Sequence, residues 1–252
     1  MRPACLIPLV TRRLLPAGVC ALVLAFCAGA RAIAQTPPQI VVIVDQTPII
    51  TEAPPPFVEV SRLLPDAFAQ RSSAVASANG NRLLAWFIPR LSIKEQLDTK
   101  VNEKAPRCRI LQVQAVKDTE LVRYDAKSFK ALRDETLAGQ TLPRISEDSV
   151  ETLFSVLNLR QLSQQGGGQK ILGMAELAPD SFTLCIAIGT EGSDQFGGRE
   201  VESSVTCISY MLVKGKIILL SVGGPDISAK ELRNAMRLTR EWLALLRDRN
   251  PR

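Results

Sequence analysis

The stretch APRCRILQV, residues 105 to 113, sets Cys108 between Arg107 and Arg109. Positive charge beside a thiol lowers its pKa and can make it a nucleophile. The same stretch reads as a β-strand, however, and successive side chains on a strand face opposite ways. Arg107 and Arg109 then share the face that Cys108 does not, so the sulfur behaves as a small apolar group.

The chain contains no histidine, which removes the commonest general base and the commonest transition-metal ligand together. Ser-His-Asp and Cys-His catalysis are excluded within this chain, as are histidine-bearing zinc sites. No S-x-x-K, G-x-S-x-G or phosphate-loop motif occurs. The residues therefore imply no metal and no cofactor, and an enzyme only if carboxylates distant in sequence, or a thiol, meet in a cleft between sheet and helices.

Cys185 and Cys207 carry a different chemistry. They lie on consecutive predicted strands, each 11 residues from Phe196. A symmetric antiparallel pairing sets them opposite each other, at a spacing that a disulfide bridges in a non-hydrogen-bonded pair. A register slip by one residue would leave two thiols on opposite faces instead. The connection between them, GTEGSDQFGGRE, is longer than a hairpin needs, and Glu191, Asp194 and Phe196 make it a candidate contact loop. It lacks the spacing of an EF-hand.

The first 34 residues read as an export signal: Arg2, Arg12 and Arg13 precede an apolar run from Leu14 to Ala30, and small-residue cleavage sites follow. Cutting after Ala34 is preferred, and cutting after Ala32 also satisfies the rule. TRRLLP, residues 11 to 16, is similar to part of a twin-arginine signal. The whole chain has 31 basic and 25 acidic residues. The leader carries four of those arginines and no acid, so the mature net charge falls from +6 to +2. Nucleic-acid binding calls for a basic stripe, and none is required here. The expected location is periplasmic or secreted, where disulfides persist.

Residues 35–56 bracket a β-branched run with prolines and read as a semi-extended lead-in or linker with room for a short edge strand. Residues 57–252 are expected to form one α+β domain. Its predicted elements begin with a helix over PDAFAQRSSAVASA, a strand over NRLLAWFIPR, a short helix opened by Ser92 and Glu95, and a strand after Arg107. Two helices follow, over 126–137 and after an Asp148/Glu151 capping box. Four late strands come next, with both faces apolar; such a sheet calls for helices on both sides.

The last helix is opened by a Ser228/Glu231 capping box. It gathers Leu232, Met236, Trp242, Leu243 and Leu246 on one side and Lys230, Arg233, Arg237, Arg240 and Arg247 on the other. The run YMLVKGKIILLSVGGPDISAKELRNAMRLTREWLALLRDRN resembles the C-terminal end of PsbP-like domains. That resemblance implies an α/β/α sandwich with a mainly antiparallel sheet, and a binding or accessory role without a functional motif. The resulting expectation is an exported, non-catalytic module of the cell envelope, with an unknown protein or small ligand as partner. The alternatives are an envelope enzyme with a sheet-helix cleft and a membrane-peripheral protein using Lys230, Arg233, Arg237 and Arg240 against an anionic surface.

Overall fold

The computed structural model describes residues 39–98, 107–157, 168–193 and 199–251. The leader, with both cleavage positions, lies outside the described residues. Seven antiparallel strands form the main sheet: β3 (Phe57–Glu59), β4 (Arg82–Pro89), β5 (Ile110–Ala115), β6 (Gly168–Ala178), β7 (Ser181–Ser193), β8 (Arg199–Val213) and β9 (Lys216–Gly223). Their order across the sheet is β3-β4-β5-β9-β8-β7-β6. The helices are α1 (Pro65–Asn79), α2 (Ser92–Asp98), α3 (Ala126–Leu137), α4 (Val150–Val156) and α5 (Ala229–Arg249). This is the α+β sandwich that the two-sided apolar strands demand.

Face I of the sheet carries Leu111, Val113, Cys185, Cys207, Ile218 and Leu220, packed with Leu232, Met236, Trp242, Leu243 and Leu246 of α5. Val150 of α4 joins the same cluster. Face II holds two smaller clusters. Leu83, Trp86 and Ile88 pack with Ala67 and Phe68 of α1 and Ile93 of α2, while Phe182 and Ile217 pack with Phe129 and Leu132 of α3. Each fully buried side chain of this size contributes about 1.5–3 kcal/mol of hydrophobic stabilisation.

Local chemistry sets the element ends. Gly80, at φ 72°, takes the left-handed position after α1 and returns its N–H to Ala76 O, the αL termination that glycine permits. Lys214 and Gly215 both have positive φ, as the tight β8–β9 hairpin requires. At α5 the Ser228 side chain accepts from Glu231 N at 3.1 Å. Only this half of the predicted box forms, because the Glu231 carboxylate turns to Arg109 Nη2 at 2.5 Å. The Asp148/Glu151 box is not formed at α4: Ser149 is the N-cap residue, and its hydroxyl folds back to Ser146 O at 3.0 Å.

Within the proline-rich segment, residues 40–51 form a hairpin where a linker with one short edge strand is expected. Strands β1 (Ile40–Val44) and β2 (Thr47–Thr51) make a separate two-stranded sheet whose Val42, Val44 and Ile49 belong to the face I core. Asp45 and Gln46 supply two consecutive positive φ angles at its turn, a role that Asn-Gly or Asp-Gly pairs most often fill. Pro48 pairs with Ile43 and sits where a missing N–H costs no ladder bond. Trp242 Nε1 donates to Glu52 O at 2.7 Å, and Asn250 bonds Ile50 through both N and O, at 3.0 and 2.8 Å.

The connection between β7 and β8 also differs from expectation. Pairing continues without a break from Ser181↔Met211 to Ser193↔Arg199, so most of the expected long loop is ladder. On the far edge, Pro143 O and Ile145 N bond Met174 at 2.9 and 3.0 Å and cover part of β6. Gly173 lies beneath this cover with φ 151°, and an added Cβ would stand 2.5 Å from Pro143 O.

Gly173→Ala is expected to cost about 2 kcal/mol or more through backbone clash and strain, lowering Tm by about 5 °C. Gly139→Ala shares the positive φ, at 75°, but meets no atom within 4 Å, so a smaller loss there in thermal melts followed by circular dichroism isolates the clash.

Candidate functional site

The register brings Cys185 directly opposite Cys207. The Cα atoms are 4.1 Å apart and the sulfurs lie at bonding distance, 2.13 Å. This spacing belongs to the narrow, non-hydrogen-bonded class of antiparallel pair. Both residues are fully buried on face I, under α5. The pair is a staple in the core, remote from any surface on which it could exchange with a substrate.

Cys108 packs partly buried in the face II cluster with Val58, Ile88 and Ile93. Arg109 leaves for the opposite side and reaches Glu231. Burial pushes the Cys108 thiol above its ordinary range and the Glu95 carboxylate adds to this, while a hydrogen bond with Ser92 works against both. A raised thiol pKa is the reverse of what nucleophilic catalysis uses.

Of the candidate contact loop, Glu191 lies in β7, paired with Val201. Asp194 and Phe196 lie outside the described residues.

The four basic candidates on α5 separate into two kinds. Arg233 reaches Glu151 at 2.7 Å and Arg240 reaches Glu147 at 3.0 Å, so both are engaged with the α4 region. Lys230 and Arg237 stay exposed without an ion pair among the described residues. With the apolar side of α5 buried on the sheet, the helix has no amphipathic face left to lay on a membrane. No helix among the described residues is long and apolar enough to cross one.

Two acids do meet, in a place that spacing alone did not reveal. Glu176 and Asp180 flank the β6–β7 turn, and Arg247 Nη2 reaches both at 3.1 Å. The same nitrogen donates to Ser181 Oγ at 2.7 Å. Burial works against the Arg247 charge, but the hydrogen bonds with Asp180 and Glu176 outweigh it and raise its pKa. The two carboxylates thus share a single helix arginine, an arrangement that clamps α5 to the hairpin. A half-open hollow of about 350 Å³ adjoins them between Arg144 and Met174, and its one acid is this same Glu176. No group of three acidic, cysteine or histidine side chains among the described residues could hold a metal ion.

Two further features escaped the sequence reading. The first is the hairpin's outer edge. On β2 that edge is closed: Asn250 takes Ile50 N and O, Lys214 Nζ takes Pro48 O at 3.2 Å, and Pro48 has no N–H to offer. On β1, Arg82 Nη2 takes Ile43 O at 3.0 Å. The outward N–H and C=O of Val41 and the N–H of Ile43 have no partner among the described residues. Val41 and Ile43 point to solvent at 52% and 51% exposure. Beside the hairpin tip, Lys216 Nζ ties Asp45 Oδ2 at 2.7 Å to Glu120 O at 2.9 Å and Val122 O at 3.3 Å, leaving Leu121 and Val122 exposed.

The second is a polar ladder on face II. Asn81 Nδ2 donates to Gln114 Oε1 at 3.1 Å, and Gln114 Nε2 to Gln112 Oε1 at 3.1 Å. Amide orientation is assigned from such contacts. With the Gln112 amide turned, its oxygen accepts instead from Arg71 Nε at 2.6 Å and Nη2 at 3.1 Å, and the bond from Gln114 Nε2 is given up.

No family model matches the chain, and no curated protein matches it. Among solved structures, the Ran-binding protein Mog1p of Saccharomyces cerevisiae is similar over 84% of this chain and 92% of its own, at 11% identity and a TM-score of 0.27. A likeness of that degree carries no argument about fold or function. The PsbP-like resemblance of the C-terminal run is matched by no family model, and the α+β sandwich rests on the strands and helices described above.

Peptide mapping without reductant is expected to recover residues 185 and 207 in one linked peptide; recovery of both as alkylated thiols would remove the staple. For a closed loop with a sequence separation of 22, reduction is expected to cost about 3 kcal/mol, read as a lower urea midpoint.

Proposed function

We propose that the chain is an exported accessory or binding domain of the cell envelope, and that its protein partner adds an extended strand along the outer edge of β1. The observation that carries this is the contrast between the two edges of the N-terminal hairpin. β2 is closed by proline, Asn250 and Lys214, whereas β1 keeps the N–H and C=O of Val41 and the N–H of Ile43 without a partner among the described residues, beside exposed Val41 and Ile43. An edge of β-branched residues is a template for strand addition, in which main-chain hydrogen bonds supply affinity and alternate side chains supply selection. Leu121 and Val122 extend the apolar surface at the hairpin tip. Support for a non-catalytic role comes from the engagement of Glu176 and Asp180 with Arg247 and from the raised thiol of Cys108. Support for export comes from the leader, with its three early arginines, apolar run and small-residue cleavage sites.

A photoreactive amino acid placed at Ile43 in producing cells is expected to yield one discrete protein adduct, while the same probe at Arg237 yields none. No adduct at 43, or equal labelling at both positions, overturns the β1 reading. Separately, residues 1–34 fused to a reporter enzyme that is active only outside the cytoplasm are expected to give activity, and an inactive, uncleaved fusion overturns export.

A further inference from the structure

One end of the main sheet gathers the start of β4, the end of β5 and the β8–β9 turn: Arg82 pairs with Ala115, Ala115 with Ile218, and Val213 with Lys216. The loop that leaves β5 there, residues 116–125, is held along its length. Thr119 N donates to Val116 O at 3.0 Å, Val122 N to Thr119 O at 3.1 Å, and Tyr124 N to Gly215 O at 2.9 Å. From beneath, the ammonium of Lys216, a residue 4% exposed, donates to Glu120 O and Val122 O as well as to Asp45. A buried charge is tolerated when it is paired and hydrogen-bonded, and this one fixes the loop in a single place.

What the fixed loop shows to water is apolar. Leu121 is 80% exposed and Val122 46%, where turns ordinarily carry polar residues. Cations stand beside them. Arg123 follows directly, and its side chain lies over the β8–β9 turn, with Cγ and Nε 3.1 and 3.2 Å from where a Cβ on Gly215 would stand. Lys214 of the same turn is exposed, as is Lys117 near the start of the loop. These three cations have no ion pair among the described residues. The acids at this end are mostly engaged: Glu120 meets Arg82 and Asp45 meets Lys216, and Asp125 caps α3 through Ser128 N at 2.7 Å. Asp118 is exposed, the one acid of the loop without a partner among the described residues.

We propose that this end of the molecule binds the surface of an anionic bilayer, with Leu121 and Val122 entering the headgroup region and Arg123, Lys214 and Lys117 meeting lipid phosphates. An apolar tip or a few cations alone bind a membrane weakly, and the two together make a stable peripheral contact. The charge around the tip favours lipid over a protein groove. Lysine is depleted at protein interfaces, whereas a bilayer keeps long basic side chains at phosphate level while apolar groups lie deeper. The contact goes beyond the β1 reading, because it uses the loop and not the open backbone edge, and α5 takes no part in it.

The test uses the chain without residues 1–34, so that the apolar leader takes no part; residues 39–252 form one compact unit. Vesicles of phosphatidylcholine and phosphatidylglycerol in equal parts are the probe, and pure phosphatidylcholine vesicles are the control. The chain is expected to float with the anionic vesicles, to leave them as salt rises, and to stay off the control. Leu121→Ser is expected to weaken binding about tenfold, and Arg123→Gln and Lys214→Gln about fivefold each, while Arg237→Gln on the exposed side of α5 changes nothing. The two native tryptophans, Trp86 and Trp242, are buried, so the emission of Leu121→Trp reports the loop, and a blue shift on vesicle binding is expected. No flotation, equal binding to both vesicles, unchanged binding in Leu121→Ser, an unmoved Leu121→Trp emission, or a loss in Arg237→Gln equal to that in Arg123→Gln overturns the bilayer contact. Loss of the Ile43 photoadduct in Leu121→Ser, with no vesicle binding by the unaltered chain, assigns the loop to the β1 partner and overturns it likewise. Should Leu121→Ser fail to fold, the Leu121→Trp emission and Lys214→Gln decide.

Discussion

The indole of Trp242 is the contact on which the rest of the architecture turns. Its ring meets Phe87 edge-on at 5.8 Å between centroids, and its N–H reaches Glu52 O. One side chain of the last helix thus touches the central sheet and the N-terminal hairpin together. The constraint behind it is simple: a sheet apolar on both faces must be covered on both. α5 alone cannot reach across face I, and the hairpin supplies the remaining cover. Trp242 has the size to fill the junction and the polar tip to satisfy the backbone there.

Charge serves the same closure. Arg109–Glu231, Arg233–Glu151, Arg240–Glu147, Arg247–Asp180 and Arg249–Glu52 each join α5 to another element. A helix that looks basic in sequence is in fact a row of clamps. Exposed pairs of this kind contribute little individually, about 0–1 kcal/mol. Those with one partner mostly buried, such as Arg249 with Glu52, fix geometry more than they add energy. The consequence for function is that Arg233, Arg240, Arg247 and Arg249 of α5 are committed inside the molecule, while Lys230 and Arg237 stay exposed.

Much of this was legible in the sequence because it is written in local rules. Gly80, the Lys214-Gly215 turn and Ser228 mark their element ends by backbone chemistry alone. The pairing of Cys185 with Cys207 could be read because the strands are consecutive and the register symmetric about residue 196. The hairpin at 40–51 was legible only as one short edge strand, because its prolines are turn and linker signals, and only the register reveals that Pro48 stands where no N–H is needed. The Asp148/Glu151 box had the right spacing, but Ser149 had a nearer partner in Ser146.

The bonds between Ile50 and Asn250 join residues 200 positions apart. Closing so long a loop costs entropy before any contact repays it. As the chain emerges from the ribosome, the hairpin lacks its Trp242 and Asn250 partners until the final helix is made. Commitment to the native state is therefore a late event, and the early-synthesised β-branched segment depends on the closing residues of the same polypeptide to take it out of circulation as a sticky end.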